Sequence, residues 1–112
     1  MIVEIVEMKT DRTKSREQQC KDAYHVVPKW QAIPALRRKH FLLGLERGSG
    51  AGLYFWDSIE AAKEAHNAAW IQAVIERTGE APTFRYFDMF MLLNNEDGTV
   101  TEIPPSPDLP QD

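Results

Sequence analysis

Residues 83–93 read TFRYFDMFMLL, and both alternate sets of that run are predominantly apolar: Phe84, Tyr86, Asp88, Phe90 and Leu92 on one side, Arg85, Phe87, Met89, Met91 and Leu93 on the other. Successive side chains of a strand point to opposite faces, so a strand of this kind is expected to be buried on both. With 112 residues the chain has room for one domain. Its helices can cover one sheet face, and a chain this short must borrow a cover for the other from a second copy of itself. A homodimer joined through its sheets is therefore the first expectation.

The rest of the chain supplies the remaining elements. Residues 2–8 are mostly β-branched or apolar, interrupted by Glu4 and Glu7, and read as a strand. Ser15 with Gln18 fits a capping box, and Cys20, Ala23, Tyr24 and Val27 recur at helical spacing, which predicts a helix over 16–27. Pro28 and Pro34 mark a connector. Residues 36–47 and 51–57 read as two strands joined by the turn Gly48-Ser49-Gly50. A second helix is expected from the possible cap Asp57 to the stop at Gly79, with Ile59, Ala62, His66, Ala69, Trp70, Ala73 and Arg77 on one stripe. After 83–93, a turn at 94–98 allows a short strand over 99–103. The order βαββαβ predicts an α+β, ferredoxin-like subunit: an antiparallel sheet with two helices on one face, in residues 1–103. Residues 104–112 carry four of the seven prolines and read as a disordered tail.

Charge and cysteine usage narrow the partners. Acidic residues exceed basic ones, 17 to 13, which disfavours nucleic acid and anionic membrane surfaces. No apolar run approaches the roughly 20 residues of a membrane helix, and the start of the chain lacks the pattern of a signal peptide. The single cysteine, Cys20, excludes an internal disulfide and a CxxC pair. A cytoplasmic location is the expectation. His25, His40 and His66 fall on different elements without HxH or HxxxH spacing, so no metal site is expected. The glycine-rich turn at 48–52 joins strands instead of opening a helix, which removes the helix N-terminus that a phosphate loop uses.

The stretch from Ile33-Pro34-Ala35-Leu36 through Phe41-Leu42-Leu43, followed by Gly50-Ala51-Gly52-Leu53-Tyr54-Phe55-Trp56, resembles the YdhR-like monooxygenases, relatives of the antibiotic-biosynthesis monooxygenases. The helix segment EAAKEAHNAAW (60–70) and the strand start Arg85-Tyr86-Phe87-Asp88 agree with it. The resemblance spans about residues 2–95, in register from Ile33 onward. It departs at Ala35, where the pattern usually has glycine, and in the tail. It implies a homodimeric α/β barrel, with an apolar pocket between each sheet and its helices. The implied activity is that of a cofactor-independent monooxygenase, or a related small enzyme, acting on an aromatic or polyketide-like molecule. The same barrel also serves proteins without catalysis, so a small-ligand-binding or regulatory dimer is the alternative.

Candidate site residues follow. If the polar-aromatic strand faces coincide, His40, Tyr54, Trp56, Tyr86 and Asp88 share one surface, as a pocket for an aromatic molecule requires. The same residues also read as an aromatic core with polar edges. His66, one turn before Trp70, should look toward the sheet. His66 or His40 is the candidate base, since an unperturbed histidine titrates near neutral pH. Tyr54, Trp56, Trp70 and Tyr86 would position a ring system, with Asp88 beside them. Within Arg37-Arg38-Lys39, strand alternation separates Arg38, a candidate for a substrate carboxylate, from its neighbours on a solvated rim.

Overall fold

A computed structural model describes residues 1–109; Pro110, Gln111 and Asp112 of the expected tail lie outside the described residues. The central strand β1 (Ile2–Lys9) pairs antiparallel with both β3 (Ser49–Trp56) and β4 (Thr83–Asp88), and β2 (Leu36–Leu43) pairs with the far side of β3. The sheet order is β2-β3-β1-β4, which resembles ferredoxin-like topology. Along β1 and β3 burial alternates strictly, so Ile2, Glu4, Val6, Tyr54 and Trp56 face the helices and are fully buried. Gly52 makes room for this face: a Cβ there would lie 2.5 Å from Tyr54 Cε1, so only glycine lets that ring lie along the strand.

The expected dimeric α/β barrel needs correcting. The four-stranded sheet is open, with β2 and β4 as edges, and no sheet closes into a barrel. The run at 83–93 is not one strand: it breaks after Asp88, and β5 (Met91–Asn94) leaves to form a separate hairpin with β6 (Thr99–Glu102). At the break Met89 N–H donates to the Met1 carbonyl (2.8 Å), which carries the β1–β4 pairing one residue past Asp88 before the chain leaves the sheet. The apolar side chains beyond it, Phe90 to Leu93, therefore line an exposed hairpin.

The helices also differ from the two expected. Ser15 and Gln18 form the capping box, with Gln18 N–H donating to Ser15 Oγ (3.2 Å) and Ser15 N–H to Gln18 Oε1 (2.8 Å). The helix they open, α1 (Arg16–Gln31), runs through Pro28. Proline removes one backbone bond, but the extra turn buries Trp30 with its ring 5.3 Å from that of Tyr54, and burying an indole offsets such a loss. The second helix is two: α2 (Ile59–Ala65), capped by Ser58, and α3 (Ala68–Thr78), capped by Asn67, whose Oδ1 accepts from Trp70 N–H (3.0 Å). Because the chain bends at His66, the stripe does not run straight. Ala62, His66 and Val74 are buried, and Ala69, Ala73 and Arg77 are exposed.

Within residues 104–109, Ser106 is buried and bonds Asp108 (3.0 Å), whose carboxylate accepts from the N–H groups of Ile59 (3.3 Å) and Glu60 (3.0 Å). Leu109 packs against the core. This segment thus caps the first turn of α2.

Candidate active site

An acid on the helix-facing side of β1 organises the core. Glu4 is buried completely, flanked by Tyr54 on β3 and Tyr86 on β4, its cross-strand neighbours. Its Oε1 accepts from Trp56 Nε1–H (2.9 Å) and lies 2.9 Å from His66 Nδ1. That second approach has ion-pair length without a well-directed hydrogen bond, and among the described residues neither ring nitrogen of His66 has a hydrogen-bond partner. A buried carboxylate beside an imidazole can fix the orientation of the ring.

Rings surround His66 on every side. Trp70 lies 4.4 Å away, Tyr54 4.7 Å, Trp30 5.4 Å, Phe84 5.7 Å and Trp56 6.2 Å, centroid to centroid. The bend between α2 and α3 makes this possible: His66 closes α2 with a non-helical ψ of 56°, which turns its ring into the sheet while Asn67 starts the next helix. Tyr86 stands at the edge of the cluster, stacked on Phe84. Burial, and then the charge of Glu4 and a bond to it, hold the Tyr86 phenol well above its ordinary range. Burial and Glu4 do the same for Tyr54. Both phenols stay protonated at neutral pH and can therefore donate hydrogen bonds.

Of the residues singled out from the sequence, Tyr54, Trp56, His66, Trp70 and Tyr86 are brought together. His40 and Arg38 are not. A one-residue bulge at Arg37, between the pairs Leu36–Trp56 and Arg38–Phe55, reverses the faces of the rest of β2. Lys39 then lies opposite Tyr54, while His40 and Arg38 turn to the other sheet face and are exposed beside Phe55. Asp88 sits at the end of β4, exposed, against the Met1 amine (3.4 Å). Glu4 and Lys39 are the members that sequence reasoning missed. Glu4 is in phase with Ile2 and Val6, but Val3, Ile5 and Glu7 form an equivalent set, and periodicity alone could not say which glutamate is inside.

Among the described residues no three His, Cys, Asp or Glu side chains converge as a metal site, and no helix is long and apolar enough to cross a membrane. Two surface depressions, one lined by Phe90, Met91 and Glu102 and the other by Asp11, Arg12 and Glu46 among others, both lie away from His66.

In comparison with known proteins, no family model matches the chain and no curated protein matches it. A solved structure does: a protein from Caulobacter crescentus CB15 described as a "putative antibiotic biosynthesis monooxygenase" superposes with a TM-score of 0.54 at 20% identity, over 79% of this chain and 88% of that one. At that identity the likeness is one of fold.

Proposed function

We propose that the chain is a small enzyme of the cofactor-independent oxygenase type, acting on an electron-rich aromatic molecule such as a phenol or enol. The observation that carries this reading is the buried Glu4–His66 pair, with an unpartnered imidazole nitrogen, walled by rings. His66 Nε2 is the base that takes the hydroxyl proton of the substrate, and Glu4 stabilises the resulting imidazolium. The deprotonated ring is then electron-rich enough to react with dioxygen, and the protein contributes orientation and exclusion of water. Trp70, Tyr54 and Trp56 provide flat walls, and the Tyr86 hydroxyl is the donor at the rim. The solved structure of similar fold, by its description, is in keeping with this class.

The functional unit in this reading is a homodimer. Val3, Ile5, Leu53, Phe55 and Phe87 lie side by side on the sheet face opposite the helices, and Phe87 and Leu42 remain 48% and 45% exposed in a single chain. A contiguous apolar surface of this kind favours a second copy as its cover. The rings around His66 pack on one another and neither surface depression reaches them, so a ligand enters only if the cluster opens; a non-catalytic ligand-binding dimer on the same fold is the alternative. Oxygen uptake measured over a panel of phenols and enolisable ketones, with labelled dioxygen traced into product, tests the enzyme. Binding of a panel member without oxygen consumption would favour the alternative.

A further inference from the structure

Lys39 stands at the outer edge of the same cluster and has no part in the proposed proton transfer. The bulge at Arg37 places it opposite Tyr54, and its Nζ donates to the Tyr54 hydroxyl (2.7 Å). The nitrogen also lies over the rings of Trp30 (4.2 Å), Phe41 (4.3 Å) and Tyr54 (4.5 Å). Among the described residues no carboxylate forms an ion pair with it, and the side chain is only partly buried. We propose that Lys39 is a carbonyl-capturing amine, which binds an aromatic aldehyde or ketone covalently as a Schiff base between the faces of Trp30 and Phe41.

The chemistry needs no co-reactant. The neutral amine attacks the carbonyl carbon, the C–N bond forms as the carbonyl π pair moves to oxygen, and proton transfer from nitrogen to oxygen gives a carbinolamine. Its hydroxyl then leaves as water with a proton from the Tyr54 hydroxyl, while the nitrogen lone pair closes the C=N bond. The nitrogen's remaining proton returns to Tyr54. The sum is amine plus carbonyl giving imine plus water. Tyr54 is placed for this role because its hydroxyl lies 2.7 Å from the nitrogen.

The groups facing Lys39 decide whether the amine is free. Burial first, and then the charge of Lys29 on α1, lower its ammonium from 10.5 to about 7, with Glu4 on β1 opposing. The three ring faces also favour the cation. Tyr54 on β3 faces it with a neutral hydroxyl, and beyond Tyr54 lies His66 at the end of α2.

Reductive trapping reads the net result. The intact protein is incubated with 4-hydroxybenzaldehyde and cyanoborohydride at limiting reagent, and each lysine is quantified by peptide mass spectrometry; formaldehyde serves as a small probe without a ring. The expected result is labelling of Lys39 at least about tenfold faster than of Lys9, Lys21 or Lys63 at pH 7, rising with pH around a midpoint near 7, with Tyr54→Phe slowing it. Preference for the aromatic aldehyde over formaldehyde at Lys39, relative to the surface lysines, supports the ring-walled site. Even labelling of all lysines by both probes would overturn the proposal. So would labelling of Lys39 by formaldehyde alone, since a reactive amine without an aromatic site is not what is claimed. Trapping at Lys39 does not depend on His66, so loss of oxygenase activity in a His66 variant leaves this test unaffected.

Discussion

Glu4 is the residue on which the site turns, and its consequences are measurable. Replacing it by alanine strands the Trp56 indole N–H and leaves His66 without its carboxylate in a buried setting. Each buried polar group left unsatisfied costs about 1 to 3 kcal/mol, so Glu4→Ala should lose a few kcal/mol in urea unfolding, far more than Glu7→Ala on the exposed side. Equal, small losses would place Glu4 outside the core. Lys39 gives a pH signature whose sign can be worked out. Its folded value, about 7, lies below the unfolded 10.5, so between them the unfolded chain binds more protons and stability rises with pH. Below about pH 7 both states are charged and the burial penalty is present in full. Urea unfolding of wild type should therefore show a stability increase from pH 7 toward 10 that Lys39→Met lacks; parallel profiles would mean that the amine is solvated. Neither residue was legible in the sequence. An acid in a β-branched strand reads as solvated, and a bulge has no spelling in Leu36-Arg37-Arg38-Lys39 that fixes where it falls.

At the level of elements, the capping box at Ser15 and the stop at Gly79, which adopts the left-handed conformation, were readable because each rests on local chemistry. The break at His66-Asn67 was missed for a related reason: a stripe counted at 3.6 residues continues smoothly through it, although asparagine is a favoured cap. That cap should matter. Removing the Asn67 side chain takes the acceptor from Trp70 N–H, and Asn67→Ala is expected to cost about 1 kcal/mol and to loosen the approach of Trp70 to His66. Thermal unfolding, with indole fluorescence as the local probe, checks both. The strand read at 83–93 illustrates the opposite error, in which composition is right and extent is wrong. Its first half joins the sheet, and its second half follows Met89 away from it.

For the whole molecule, the open sheet leaves Phe87 and Leu42 about half exposed on the face opposite the helices, and the proposed homodimer would cover them. Light scattering at micromolar concentration should give about twice 12.8 kDa, and Phe87→Glu, which puts a charge on that face, should shift the population toward the monomer. A wild-type monomer would show that the face is tolerated in water. The central claim remains the base at the heart of the aromatic cluster. Its most direct measurement is kcat/KM for oxygen consumption with the best phenolic substrate, compared between wild type and His66→Gln, with circular dichroism confirming that the variant folds. A fall of about 10² to 10⁴ is predicted, the range that general-base catalysis supplies; an unchanged kcat/KM in a folded variant would contradict the account.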